Sequence, residues 1–258
     1  MGEERPGLLA RLVAPPLAAL QFLTVMPPLV RRAFSLPELG RAVGYFPLVG
    51  ALLGGVLVAF DWALSFLFPA GVRAALDLAL WVALTGALHL DGVLDACDGL
   101  FGGRTVDSRL EIMRDERVGA FGLAGGVVLL LLKVSALVAT PQRPLALFLA
   151  PVAGRWGISF VLVTSPYARP QGLGRAMKDH AGWVELVLAT TVALVAVLLA
   201  GGWWGLTSLA MAGGVAWLAA RFVRSRLPGL TGDVYGAICE LVETVVLLAL
   251  AAQVGGLM

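Results

Sequence analysis

Charge is scarce in this sequence. Only 14% of its 258 residues are charged, 59% are hydrophobic, and the mean hydropathy is +0.88. A soluble domain carries about 25% charged residues. The shortage excludes a water-facing surface over most of the molecule, and a lipid-facing one accounts for it. Cysteine is nearly missing: Cys97 and Cys239 stand far apart, form no ligand pair and read as free thiols on the reducing side of a membrane. The two histidines, His89 and His180, have no metal-ligand spacing, and His89 reads as a supporting or structural residue. The net charge of +2 says little about partners, and with no basic tract no nucleic-acid partner is expected. Residues 1–11 mix acids and bases without a small-residue cleavage site, which argues against a removable signal peptide. Neither an internal repeat nor a low-complexity tract is found, so one integral membrane domain over 1–258 is expected.

What the chain has instead is glycine (32), tryptophan (7) and long apolar runs. Glycine suits close helix packing in lipid, and tryptophan suits the interface. A transmembrane helix needs about 20 mostly apolar residues. Residues 42–60, 74–90, 119–140, 144–164, 184–200, 203–220 and 236–254 qualify. The expected fold is an all-α polytopic integral membrane helix bundle of about seven transmembrane helices, preceded by a Pro-rich N-terminal apolar segment. That segment, 12–30, holds Pro15, Pro16, Pro27 and Pro28, which break helices. Its path, across the membrane, back out of it or along the interface, is left open.

Alternating the seven stretches sorts the basic residues. One side receives Arg31, Arg32 and Arg41; Arg104, Arg109, Arg114 and Arg117; Arg169, Arg175 and Lys178; and Arg221, Arg224 and Arg226. The other receives only Arg73 and Arg143. The basic side is cytoplasmic by the positive-inside rule. Lys133 and Arg155 fall within helices, and Glu240 and Glu243 within the last one, where carboxylates face a bundle interior.

Chemistry concentrates after His89. Asp91, Asp95 and Asp98 stand at i, i+4 and i+7 of a continued helix, hence on one face. Like charges so spaced repel, and a divalent metal is the natural compensation. Magnesium takes oxygen ligands, commonly one or two carboxylates plus phosphates and waters. The competing reading is a solvated acidic helix end. Downstream, Asp107, Glu111 and Asp115 repeat every fourth residue, and Arg104, Arg114 and Arg117 can clamp phosphate oxygens. Asp107 and Glu111 serve equally well as ordinary partners of Arg114. A third cluster pairs Thr231 and Asp233 with Glu240; one reading joins them to the acidic helix, the other makes Thr231 or Asp233 a helix cap. Tyr167, Arg169, Gly172, Gly174, Arg175 and Lys178 form a basic, glycine-containing loop suited to a second anionic substrate.

Together these segments resemble the cobalamin-5'-phosphate synthase family, also called adenosylcobinamide-GDP ribazoletransferases. The resemblance rests on Gln21-Phe22-Leu23-Thr24, on Tyr45-Phe46-Pro47-Leu48-Val49-Gly50, on the stretch from His89 to Gly122, and on Thr231-Gly232-Asp233-Val234-Tyr235-Gly236-Ala237. It implies a magnesium-dependent enzyme that joins adenosylcobinamide-GDP to alpha-ribazole or its 5'-phosphate and releases GMP, integral to the bacterial cytoplasmic (inner) membrane. Asp95-Ala96-Cys97-Asp98-Gly99 is also similar to the start of the CDP-alcohol phosphotransferase motif, although the Ala-Arg pair after the glycine is absent. In this reading Asp91, Asp95 and Asp98 hold metal, and Asp115, or else Asp233, is the base. Arg104, Glu111, Arg114, Arg117, Arg169, Arg175, Lys178, Thr231 and Glu240 meet substrate. Lipid is an expected partner and a homo-oligomer is left open. The rival is a transporter for a divalent cation or small anion, whose carboxylates would sit at the midplane on broken helices.

Overall fold

The structure is a computed structural model that describes residues 8–252. Residues 1–7, and with them most of the segment read as no signal peptide, lie outside the described residues, as does the end of the 236–254 stretch. Among the described residues eleven α-helices follow one another: α1 (Leu8–Leu23), α2 (Leu36–Ala42), α3 (Phe46–Leu64), α4 (Ala70–Leu84), α5 (Leu88–Cys97), α6 (Val106–Ile112), α7 (Ala120–Ala139), α8 (Arg143–Thr164), α9 (Leu173–His180), α10 (Trp183–Arg224) and α11 (Gly232–Ala252). Helices are what lipid demands, because each satisfies its own backbone polar groups.

Five of them are long and apolar enough to cross a bilayer, or six with the bent pair α4–α5 counted as one span. The 42-residue α10 would extend roughly 60 Å if straight, twice the ~30 Å hydrocarbon core. It is not straight. At Gly202 the backbone takes φ 51°, ψ −124°, a left-handed conformation open to glycine. The arms on either side then lie against one residue of α8: the Trp156 indole donates to Thr190 at 3.0 Å, and its far edge lies 3.3 Å from the Cβ position of Gly213. The chain therefore doubles back, and the expected legs 184–200 and 203–220 are separate. Helix α8 is at the centre, buried along most of its length and packed by α3, α10 and α11.

One expected helix is not continuous. Residues 74–90 were to run unbroken to the membrane surface, ending at His89. The structure instead breaks at Thr85–Ala87, and α5 leaves α4 at 90°. Gly86 and Ala87 both have positive φ, 59° and 57°, a conformation that costs a non-glycine residue roughly 1–2 kcal/mol. Carbonyls at the break are served: those of Trp81 and Val82 keep backbone donors and also accept the Thr85 hydroxyl, and the Val25 N–H donates to Leu84 at 2.9 Å. As a result His89 is buried, 3% exposed, at the inner start of a half-span that carries its aspartates outward.

The Pro-rich segment forms a 16-residue helix, α1, with Pro15 and Pro16 inside it. That is shorter than the ~20 residues of a span. The Gln21 side chain then clasps the returning chain, bonding both the N–H and the carbonyl of Val30.

The basic loops converge at one end, where Arg109 donates to the Arg226 carbonyl and Arg169 to that of Met113. At the other end Arg73 and Arg143 both approach one oxygen of the buried Asp61, at 3.4 and 3.2 Å. The two basic residues on the sparse side are thus held in place by a counter-charge. Between the ends, Lys133 of α7 and Arg155 of α8 meet Glu240 and Glu243 of α11 in a buried, charge-balanced network. Cys97 and Cys239 are free thiols, as expected.

Candidate active site

The site is set by the crossing of α5 and α11. A Cβ on Gly92 would fall 2.6 Å from the Asp233 carbonyl oxygen, so only glycine lets the start of α11 approach this closely. A short bridge completes the arrangement: Ala168 donates to Leu230 at 2.8 Å, and Leu230 to Pro166 at 2.9 Å. This ties the loop after α8 to the entrance of α11 and puts Arg169 against Asp233 at 2.8 Å.

A cleft of about 270 Å³ opens there. Asp91, Gly92, Arg169, Gly172, Gly174, Asp233 and Gly236 line it, together with Tyr167, Tyr235 and His89. Its buried end is apolar, formed by Phe22, Phe46, Ile158, Leu162 and Met177. Three polar atoms of its lining are buried without a partner: His89 Nε2, Arg169 Nε and the Tyr235 hydroxyl. Burial pushes the Tyr167 phenol above its ordinary pKa, so it stands as a neutral O–H. Asp95 lies one helical turn beyond Asp91, within electrostatic reach of Asp91, Asp233, Asp98 and Arg169.

The expected set of three aspartates on one metal is not assembled. Asp98 is buried, and its oxygens accept the N–H groups of Gly119 and Gly122 at 2.7 and 2.8 Å. It caps the start of α7, where a carboxylate satisfies orphan donors and the helix dipole together. Among the described residues no three His, Cys, Asp or Glu side chains converge tightly enough to hold a metal by themselves. Asp98→Asn should lower the detergent unfolding temperature, in line with the ~0.5–2 kcal/mol of a lost cap. An unchanged unfolding temperature would show that the contact with Gly119 and Gly122 does not hold the start of α7.

Asp115 is also placed elsewhere. It lines a separate surface cleft, where Arg117 grips it at 2.7 Å and holds its carboxylate well below the usual range, at about 2. An acid so weakly basic is a poor proton acceptor. Arg104, Glu111 and Arg114 are exposed on the same loop, and the charge of Arg114 reaches Tyr167 in the main cleft. Arg175 pairs with Asp179, and Lys178 donates to the Val163 carbonyl, so neither lines the cleft. Glu240 is committed to Lys133 within the bundle rather than to the aspartates. Thr231 takes the cap role, its hydroxyl accepting the Val234 N–H at 3.3 Å. Asp91, Asp233 and Arg169 are the expected residues that come together. Phe22 and Phe46 had no assigned role, although both lie in stretches that carried the resemblance.

A family model described as cobalamin-5-phosphate synthase matches residues 15–251. The adenosylcobinamide-GDP ribazoletransferase of Stutzerimonas stutzeri (strain A1501) is 42% identical over 247 residues, covering 93% of this chain and 99% of that protein. That of Desulforamulus reducens is 39% identical over 91% of this chain and 95% of its own length. That of Pseudomonas paraeruginosa is 44% identical over 91% and 96%. No solved structure matches. With the match running through nearly every helix that builds the cleft, the chain belongs to the cobalamin-5-phosphate synthase family.

Proposed function

We infer that this protein is an adenosylcobinamide-GDP ribazoletransferase. It transfers the phosphoryl-cobinamide group of adenosylcobinamide-GDP to alpha-ribazole or alpha-ribazole 5'-phosphate, giving adenosylcobalamin or its 5'-phosphate and GMP. The observation that carries the reading is the meeting, in one cleft, of Asp91 from α5, Asp233 from α11 and Arg169 from the loop after α8. By the family resemblance the attacking group is the 3' hydroxyl of the ribose. Its oxygen bonds to the phosphorus that stays with cobinamide, the bond from that phosphorus to the GMP oxygen breaks, and the hydroxyl proton passes to a carboxylate. Asp233 is that carboxylate: it lines the cleft, and Arg169 fixes its orientation. The unpartnered Nε of Arg169 is left for a phosphate oxygen.

Asp91 and Asp95 would hold magnesium. They stand one turn apart on α5, neither with a salt-bridge partner among the described residues, and a cation that completes its shell from phosphate and water needs only one or two carboxylates. The ion would supply charge stabilisation at the diphosphate. The cytoplasmic face of the bacterial inner membrane is the proposed location of the cleft, supported by the basic loops gathered at its end. Purified enzyme given adenosylcobinamide-GDP, alpha-ribazole and magnesium should release GMP in step with cobalamin. Asp233→Asn should lower kcat by about 10²–10⁴-fold, the contribution of a positioned base. Absence of GMP release by the wild type would end the assignment, and near-normal turnover by Asp233→Asn would move the base elsewhere.

A further inference from the structure

The cleft's inner end uses none of the acids invoked above, yet it is built. His89 is 3% exposed and Tyr235 5%, and both carry polar atoms without partners into a wall otherwise made by Phe22, Phe46, Ile158, Leu162 and Met177. The His89 ring has a defined tautomer. Its Nδ1 faces the Arg155 guanidinium at 3.3 Å. Arginine has donors only, so Nδ1 must offer its lone pair and the proton must reside on Nε2. Arg155 is anchored in turn by Glu243. Glu243, Arg155 and His89 thus form a chain of contacts ending in one neutral N–H donor, buried and unused.

We propose that this end of the cleft recognises the base of the nucleoside acceptor, with His89 Nε2–H donating to the bare ring nitrogen of its benzimidazole. The proposal rests on the ribazoletransferase reading and specifies which substrate occupies the cleft. Alpha-ribazole carries a flat, dimethylated aromatic base with one acceptor nitrogen and no donor. Apolar walls that carry two unpartnered donors, the His89 N–H and the Tyr235 O–H, can offer that nitrogen a hydrogen bond. Guanine, the other aromatic base in the reaction, presents N–H groups on its edge that need acceptors, whereas His89 presents a donor at this end and the carboxylates stand at the mouth. The corrin macrocycle is far larger than a 270 Å³ space. The base would enter first, leaving the ribose hydroxyls at the mouth beside Asp233 and Asp91. His89 is then a specificity residue that touches substrate without taking its proton, because its lone pair faces Arg155.

The test compares alpha-ribazole with the ribosyl-dimethylindole analogue, in which a C–H replaces the acceptor nitrogen. Wild-type enzyme should prefer alpha-ribazole by at least tenfold in kcat/KM. In His89→Phe that preference should shrink to within twofold, with the KM for adenosylcobinamide-GDP unchanged. His89→Gln, which can place an N–H in the same region, should recover part of it. Ring ¹⁵N spectra of wild-type protein should show Nε2 protonated and its resonance moving when alpha-ribazole is added. Equal use of nucleoside and analogue by the wild type, or a His89→Phe effect confined to the KM of the corrinoid substrate, would overturn the proposal. The wild-type comparison and the spectra hold even if His89→Phe does not fold. Failure of the wild type to release GMP at all would instead count against the ribazoletransferase reading.

Discussion

Replacing Asp91 or Asp95 by Asn should lower kcat for GMP release on the order of 10²-fold or more, with the unfolding temperature nearly unchanged. Several kcal/mol of transition-state charge stabilisation come from an ion held at such a position, and each factor of ten in rate corresponds to about 1.4 kcal/mol. Stability should be spared for a physical reason. Asp91 is exposed and Asp95 half-buried, neither has a salt-bridge partner among the described residues, and both add like charge to one helix face. Removing one of them relieves repulsion and breaks no pair. Asp98→Asn should behave in the opposite way, losing stability more than magnesium dependence, because both its oxygens serve the start of α7. Steady-state rates across a magnesium titration, beside thermal unfolding in the same detergent, separate the two patterns. Full activity in both Asp91→Asn and Asp95→Asn would show that the acidic face of α5 has no part in catalysis.

Glu243→Ala should cause the largest loss of stability in the molecule. Glu243 is fully buried and pairs with both Lys133 and Arg155. Removing one partner of a buried pair costs about 3–5 kcal/mol, since a charge is left uncompensated in low dielectric. Here two cations lose a counter-charge at once, far from either end of the bundle. Glu240→Ala should cost less, because Lys133 keeps Glu243. The expected outcome is a sharp fall in the yield and unfolding temperature of Glu243→Ala, with Glu240→Ala between it and wild type. Equal, small effects would mean that the network is solvated. Loss of Glu243 should also release Arg155, and with it the orientation of His89, so nucleoside KM should rise in whatever protein survives.

Much of this architecture could be read from residues alone. Lipid constrains composition directly, so apolar length located the spans, and the basic residues sorted the loops onto one end. Even the division of α10 was legible, because Gly201 and Gly202 interrupt an apolar run too long for one crossing. The break before His89 was not. Thr85-Gly86-Ala87 is unremarkable in an apolar stretch, and the donors that satisfy its freed carbonyls include Val25, from a remote part of the chain. The fate of Asp98 was hidden for a related reason. The π-turn begins only at Asp98 and runs to Gly102, so Asp98 keeps its i+7 place, and what spacing leaves out is that this position meets the start of α7. The partner N–H groups lie on α7, and periodicity along α5 carries no information about them. Asp115 was the expected base, and its capture by Arg117 two residues on is a local side-chain choice that spacing leaves open. The meeting of Arg169 with Asp233 depends on an isolated backbone bridge between Tyr167 and Leu230, distant in sequence. Motif resemblance flagged both residues, and only the folded chain joins them.

The most direct measurement is magnetic resonance on enzyme loaded with Mn²⁺ in place of magnesium and given adenosylcobinamide-GDP. The account predicts a phosphorus hyperfine coupling from the diphosphate to the bound ion in wild-type protein, absent in Asp91→Asn. An active Mn²⁺ enzyme with no phosphorus coupling, or a coupling undiminished in both Asp91→Asn and Asp95→Asn, would contradict it.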